Sequence, residues 1–182
     1  DNGDGTYTLN GITYDTNVLQ TTFTVSEKDG KLTAAMNSTG SRTFNNEYQT
    51  TGTLEGSTDL EITKVLTGRD WINTDSFTFT LKADPDDQTT VKAVDDKTVV
   101  LPSNADGLTI TGENEDHQAS FGNITFTEPG TYQFVVSEKH AGETIDGITY
   151  DDAVKHVIIH VKDNTDGTLT AQLDENSDSL VF

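Results

Sequence analysis

Cysteine is absent from this 182-residue chain, which removes both disulfides and thiolate metal sites. Basic residues are scarce: 11 Lys and Arg stand against 31 Asp and Glu, a formal charge of −20. Such a polyanion repels phosphate backbones and anionic bilayers, so neither nucleic acid nor a membrane surface is an expected partner. No apolar run approaches the roughly 20 residues needed to span a bilayer, so no membrane insertion is expected. Enzyme signatures are missing as well. The sequence has no Gly-x-Ser-x-Gly elbow, no His-Glu-x-x-His, no phosphate loop and no dinucleotide fingerprint. No pair of carboxylates is singled out for glycoside hydrolysis, and no cofactor site is expected. Neither a signal peptide nor a sorting segment is visible, and the sequence reads as a slice of something longer.

What the chain has in abundance is strand signal. Short runs rich in Thr, Val, Ile, Phe and Tyr alternate with Gly, Asp and Asn. They predict strands near 20–26, 31–36, 41–48, 59–67, 76–82, 90–94, 97–101, 107–111, 119–126, 131–138, 154–162 and 167–173. Asp29-Gly30, Asp106-Gly107, Asp146-Gly147 and Asp166-Gly167 suit tight hairpins. No window of a dozen residues keeps a helical apolar period. The class is all-β, an immunoglobulin-like β-sandwich.

An internal repeat runs out of phase with the chain ends. Gly11-Ile12-Thr13-Tyr14-Asp15 recurs as Gly147-Ile148-Thr149-Tyr150-Asp151, Leu32-Thr33-Ala34 recurs as Leu169-Thr170-Ala171, and Phe44 aligns with Phe182. Residues 1–50 therefore read as the C-terminal part of one module. Residues 59–182 read as the next module, lacking its last strand, and the Thr/Gly-rich stretch 51–58 reads as a linker.

Three polar residues fall where strand periodicity calls for an apolar one. Alternate positions give Leu60, Ile62, Lys64, Leu66 in one stripe and Tyr132, Phe134, Val136, Glu138 in another. A third stripe is Phe44, Asn46, Tyr48. A lysine, a glutamate and an asparagine aimed into a core are costly unless they partner or react. An amine, an acid and a carboxamide are also the ingredients of an amide cross-link. Burial would favour the uncharged forms of Lys64 and Glu138, leaving a nucleophilic amine beside a proton-donating acid. Each residue has a plainer reading: Lys64 snorkelling from an edge strand, Glu138 exposed at a strand end, Asn46 in a turn.

Leu60 to Phe182 resembles the isopeptide-linkage domain of Gram-positive pilins and cell-wall-anchored adhesins, especially the streptococcal major-pilin type. The resemblance is carried by Ile62-Thr63-Lys64 with Gly68, by Ser76 to Leu81, and by Phe121-Gly122-Asn123-Ile124-Thr125-Phe126. Further along it rests on Glu128-Pro129-Gly130-Thr131-Tyr132, Val136-Ser137-Glu138, Ile148-Thr149-Tyr150-Asp151 and Val157 to Val161. It implies a spontaneous bond between a first-strand lysine, Lys64, and a last-strand asparagine, assisted by the acid Glu138. The asparagine lies two residues after the strand's phenylalanine, which in the first copy is Asn46. Residues 42–48 would then dock beside Lys64, within the chain or from another copy. The implied function is a structural stalk module of an extracellular, cell-wall-anchored adhesin or pilus, whose partners are neighbouring modules and whose host ligand is open. It is a single-turnover cross-link rather than an enzyme.

The competing reading is a ligand-binding or carbohydrate-binding sandwich that uses Trp71, and a weaker one is an accessory domain of a secreted hydrolase. Asp1-Asn2-Gly3-Asp4-Gly5 and Asp163 to Gly167 superficially resemble calcium loops but lack the helices and distal glutamate of an EF-hand. His156 and His160, four residues apart on one strand face, lie roughly 13 Å from each other, too far to share a zinc ion. No metal site is expected.

Overall fold

A computed structural model describes residues 2–3, 5–38 and 43–182. The chain divides into two units, Asp1–Gln49 and Thr50–Phe182. In the first, β1 (Tyr7–Leu9) and β2 (Ile12–Tyr14) form a hairpin. Its turn is Asn10-Gly11, with φ of 49° and 76°, the paired left-handed residues that a two-residue hairpin requires. β3 (Thr21–Lys28) and β4 (Lys31–Ser38) turn likewise through Asp29-Gly30, and β5 (Glu47–Tyr48) pairs with β2. No described residue of this unit is buried.

The second unit is a mainly β sandwich. Its chain runs β6 (Gly52–Leu54), α1 (Gly56–Asp59), β7 (Glu61–Thr63), β8 (Ser76–Ala83) and α2 (Gln88–Asp95). It continues with β9 (Val99–Val100), β10 (Leu108–Thr111), β11 (Gln118–Ser120), β12 (Ile124–Phe126) and β13 (Gly130–Glu138). The last elements are β14 (Thr144–Ile145), β15 (Ile148–Thr149), β16 (Val154–Asp163) and β17 (Leu169–Leu173). A five-stranded antiparallel sheet, β10-β8-β13-β16-β17, forms one layer. The short ladders β11-β7 and β6-β12-β9 supply the facing strands. The inward stripes of these strands make one apolar cluster that includes Phe77, Phe79, Phe121, Phe126, Phe134 and Phe182, each worth about 1.5–3 kcal/mol when taken out of water.

The last residues matter most for the site. Leu180–Phe182 run parallel to β7, with Thr63 N–H donating to Leu180 O and Phe182 N–H to Thr63 O, each at 3.0 Å. Val65 N–H then donates to Phe182 O at 2.6 Å. Phe182 is buried, its ring 5.1 Å from that of Phe79. Leu180–Phe182 thus lie beside the strand that leads into Lys64.

Several sequence expectations need correction. The stretch 51–58 is no linker: β6 pairs with β12, Leu54 is buried, and a Cβ on Gly52 would sit 2.5 Å from Leu169 O. Residues 90–94 are helical, although Thr89, Thr90 and Val91 are β-branched. Asp87 caps that helix by accepting from Thr89 N–H, and the cap outweighs intrinsic preference in so short a segment. The run 119–126 splits at Phe121-Gly122-Asn123 into β11 and β12. Asp106-Gly107 closes no hairpin, since neither residue has positive φ. Of the strand expected at 41–48, Glu47–Tyr48 is strand, and residues 41–42 lie outside the described residues.

The Thr90 side chain ties helix α2 to the sheet by hydrogen bonds. The fully buried Thr90 hydroxyl donates to Asp87 Oδ2 at 2.6 Å and accepts from Gln133 N–H at 2.8 Å. Thr90→Val keeps the shape but leaves the Gln133 N–H without a partner. A loss of about 1–3 kcal/mol is expected, read from the midpoint of denaturant unfolding.

Candidate functional site

Lys64 follows β7 directly. Its N–H donates to His117 O at 3.0 Å, and the alternation Leu60, Ile62, Lys64 carries its side chain inward. Glu138 is the last residue of β13, in register with Phe79. The two stripes therefore converge from facing sheets. Lys64 Nζ lies 2.9 Å from Glu138 Oε2, with 5 % and 0 % of the side chains exposed. The amine also stands 4.8 Å from the centroid of the Phe77 ring. Neither residue snorkels to solvent.

The acid is incompletely satisfied. Glu138 Oε2 accepts from Lys64 and from the backbone N–H of Asp151 at 2.7 Å. Glu138 Oε1 is buried with no hydrogen-bond partner, alone among the buried side-chain polar atoms of the described residues. Native structures leave few such atoms, because each forfeits its hydration. Beside the pair, a cleft of about 420 Å³ is lined by Lys64, Val65, Tyr150, Asp151 and Phe182.

Asn46 is engaged within its own unit. Its Oδ1 accepts from Asp15 N–H at 3.1 Å, and the following Glu47–Tyr48 pair with β2. The strand position next to Thr63–Val65 is filled by Leu180–Phe182. The expectation that residues 42–48 occupy it is thereby corrected; Arg42 lies outside the described residues. Lys64 and Glu138 are brought together, and Asn46 belongs to the matching corner of the first repeat. Asp15 is the repeat counterpart of Asp151. The backbone N–H that meets Glu138 in the second unit meets Asn46 in the first.

The remaining candidates serve packing. The Trp71 ring stacks on His117 at 4.0 Å and meets the edge of Phe77 at 5.2 Å. That uses the indole internally rather than as a sugar platform. His156 pairs with Asp84 and His160 with Asp174. No cluster of three or more metal-binding side chains occurs among the described residues. Of the loops that resemble calcium sites, Asp1 and Asp4 lie outside the described residues.

Periodicity did not single out Asp75, which closes the loop after Lys64. Arg69 grips it with two hydrogen bonds, 2.8 and 2.7 Å, and Ile72 N–H donates to Asp75 Oδ2 at 2.9 Å. The Arg69 hydrogen bonds lower the Asp75 carboxyl from 3.8 to about 2, against the opposing effect of burial. A depressed carboxyl stabilises the fold above its unfolded value, and that contribution is lost as pH falls towards the folded one. Stability should therefore drop between pH 3.8 and about 2. The loss is on the order of 1 kcal/mol, since the Arg69 end is solvent-screened. Asp75→Asn should be less stable at neutral pH and flatter across that window, as read by thermal melts.

No curated protein matches the chain significantly. The model of the FctA family, described as the Spy0128-like isopeptide containing domain, matches residues 2–49 and 60–182. That match spans nearly the whole sequence, agrees with the all-β fold, and encloses the buried Lys64–Glu138 pair. The chain belongs to the family of Spy0128-like isopeptide-containing domains, the Gram-positive pilin type.

Proposed function

We propose that the second unit is a load-bearing shaft module whose Lys64 forms an autocatalytic amide bond with an asparagine on the strand begun by Leu180–Phe182. The observation that carries this is the buried contact of Lys64 Nζ with Glu138 Oε2, 2.9 Å, with Oε1 left unpartnered. A strand carried on from Phe182 in the manner of Phe44-Asn45-Asn46 would enter the cleft beside Lys64. Its second residue would bring a carboxamide to the pair.

The chemistry then follows from the groups present. A proton moves from Lys64 to Glu138 across their contact, leaving a neutral amine facing a neutral acid. The acid hydrogen-bonds the carboxamide oxygen and polarises the carbon. Lys64 Nζ attacks that carbon; its C–N bond forms and the bond to the amide nitrogen breaks. Glu138 carries the surplus proton from the attacking nitrogen to the leaving one, and ammonia departs. Confinement in a folded core replaces a bimolecular encounter by a unimolecular one. Each module reacts once, so the process is maturation rather than turnover.

The rest of the reading concerns setting. A cysteine-free chain placed outside the cell gains from such a bond the tensile continuity that disulfides give elsewhere. Its partners would be neighbouring modules of a cell-wall-anchored pilus or adhesin, and a strand from another copy would have to enter the same cleft. The test is the intact mass of the chain extended by Asn-Asn after Phe182. It should come out one ammonia lighter than its sequence, and Lys64→Ala or Glu138→Ala should restore the full mass. A full mass in the unsubstituted extended chain after folding would overturn the reading.

A further inference from the structure

The repeat holds one more residue at the reacting corner. In the second unit, Asp151 N–H donates to Glu138 Oε2 at 2.7 Å. Its Oδ1 accepts from Ala153 N–H at 2.8 Å, and no donor among the described residues reaches Oδ2. In the first unit, Asp15 makes the same turn, Oδ1 accepting from Asn17 N–H at 2.8 Å. There the other two groups are also occupied. Asp15 Oδ2 accepts from Asn45 N–H at 2.8 Å, and Asp15 N–H donates to Asn46 Oδ1 at 3.1 Å. The Asp15 carboxyl is held below its ordinary value by the Asn45 and Asn17 N–H groups. One aspartate therefore grips the strand backbone one residue after the phenylalanine and points its own N–H at the carboxamide one residue further on.

The second unit is set up for the same grip. Phe182 N–H and O both face Thr63–Val65, so alternation along the strand sends the next N–H the opposite way. We infer that Asp151 is a positioning residue for the amide bond: its Oδ2 anchors the backbone N–H of the residue after Phe182, and its own N–H binds the oxygen of the reacting carboxamide. This rests on the function proposed above and assigns a further part of the same site. As the strand docks, the Asp151 N–H is shared between Glu138 Oε2 and the carboxamide oxygen. When negative charge gathers on that oxygen during attack, a fixed backbone donor already faces it. Asp151 itself gains and loses no proton.

The test uses the chain extended by Asn-Asn, refolded by dilution and sampled by mass spectrometry for the rate of ammonia loss. Asp151→Asn keeps an oxygen for the turn at Ala153 but sets an NH₂ against the strand N–H. Losing that charge-assisted bond should slow the reaction roughly 10- to 100-fold. A second variant leaves Asp151 in place: a Pro-Asn extension removes the strand N–H, with φ fixed by the ring, and should slow the reaction at least comparably. Combining the two should be no slower than the Pro-Asn extension alone, because both delete one contact. A residue needed for the turn alone would react at the wild-type rate as Asp151→Asn, and that outcome overturns the inference. So does a Pro-Asn extension reacting as fast as Asn-Asn, even if Asp151→Asn fails to fold. In both cases the proposed function survives. Absence of ammonia loss in the unsubstituted extended chain overturns both together.

Discussion

Glu138→Ala in the unextended chain should destabilise the second unit by about 3–5 kcal/mol, while the double replacement Lys64→Met with Glu138→Leu should leave it as stable as the parent or more so. The asymmetry follows from where the charges sit. Removing the acid strands an ammonium whose side chain is 5 % exposed. Its only other described neighbour of note is the Phe77 ring at 4.8 Å. Removing both charges takes away two desolvation costs along with the attraction and deletes the unpartnered Glu138 Oε1, which offsets the loss of the acceptor of the Asp151 N–H. Apolar side chains of similar length would extend the Leu60–Ile62 and Phe134–Val136 stripes, all four fully buried. Denaturant unfolding followed through the single Trp71 reads the comparison directly. A double variant as unstable as Glu138→Ala would mean that the pair is a net structural asset. The pair would then not be a reactive site held at a cost.

The second large effect belongs to the cross-link. Joining Lys64 to a residue just past Phe182 closes a loop of about 120 residues, for which the chain-entropy treatment of a cross-link gives about 5 kcal/mol. At two to four degrees per kcal/mol for a protein of this size, the melting temperature should rise by about 10–20 °C. The comparison is the Asn-Asn extension against the same extension carrying Lys64→Ala. Since Lys64→Ala also leaves Glu138 buried without its cationic partner, Lys64→Met with Glu138→Leu in the extended chain is the cleaner reference. An extended chain that has lost ammonia yet melts within a few degrees of that reference would show that the bond constrains little.

Lys64 and Glu138 were legible in the sequence for a simple reason. Alternation in a strand is strict, so a polar residue in phase with Leu60 and Ile62, or with Tyr132, Phe134 and Val136, has to point inward. The hairpins at Asp29-Gly30 and Asp146-Gly147 were legible for an equally local reason, the left-handed conformation of both turn residues. What stayed hidden depends on distant partners. Gly52 looks like linker material until Leu169 is known to pass 2.5 Å from where its Cβ would be. Thr89, Thr90 and Val91 look extended until Asp87 caps them and Gln133 requires the Thr90 hydroxyl. The docking of Leu180–Phe182 parallel to β7 joins the two ends of a module and has no local signature. Asn46 fitted its stripe, yet its partner in the structure is the Asp15 backbone. The contact of Asp151 with Glu138 had no periodic signal, because it is made by a backbone N–H. Asp151 stood out in the sequence only as the end of the Gly-Ile-Thr-Tyr-Asp run that the repeat and the family resemblance share.

The most direct measurement is peptide mapping by tandem mass spectrometry of the chain extended by Asn-Asn. Protease digestion should yield one branched peptide joining the segment around Lys64 to the C-terminal segment through the second added asparagine. It should be one ammonia lighter than its two parts, and absent when Lys64 or Glu138 is replaced by alanine. Recovery of both segments as separate linear peptides of full mass, from protein shown to be folded, would contradict the account.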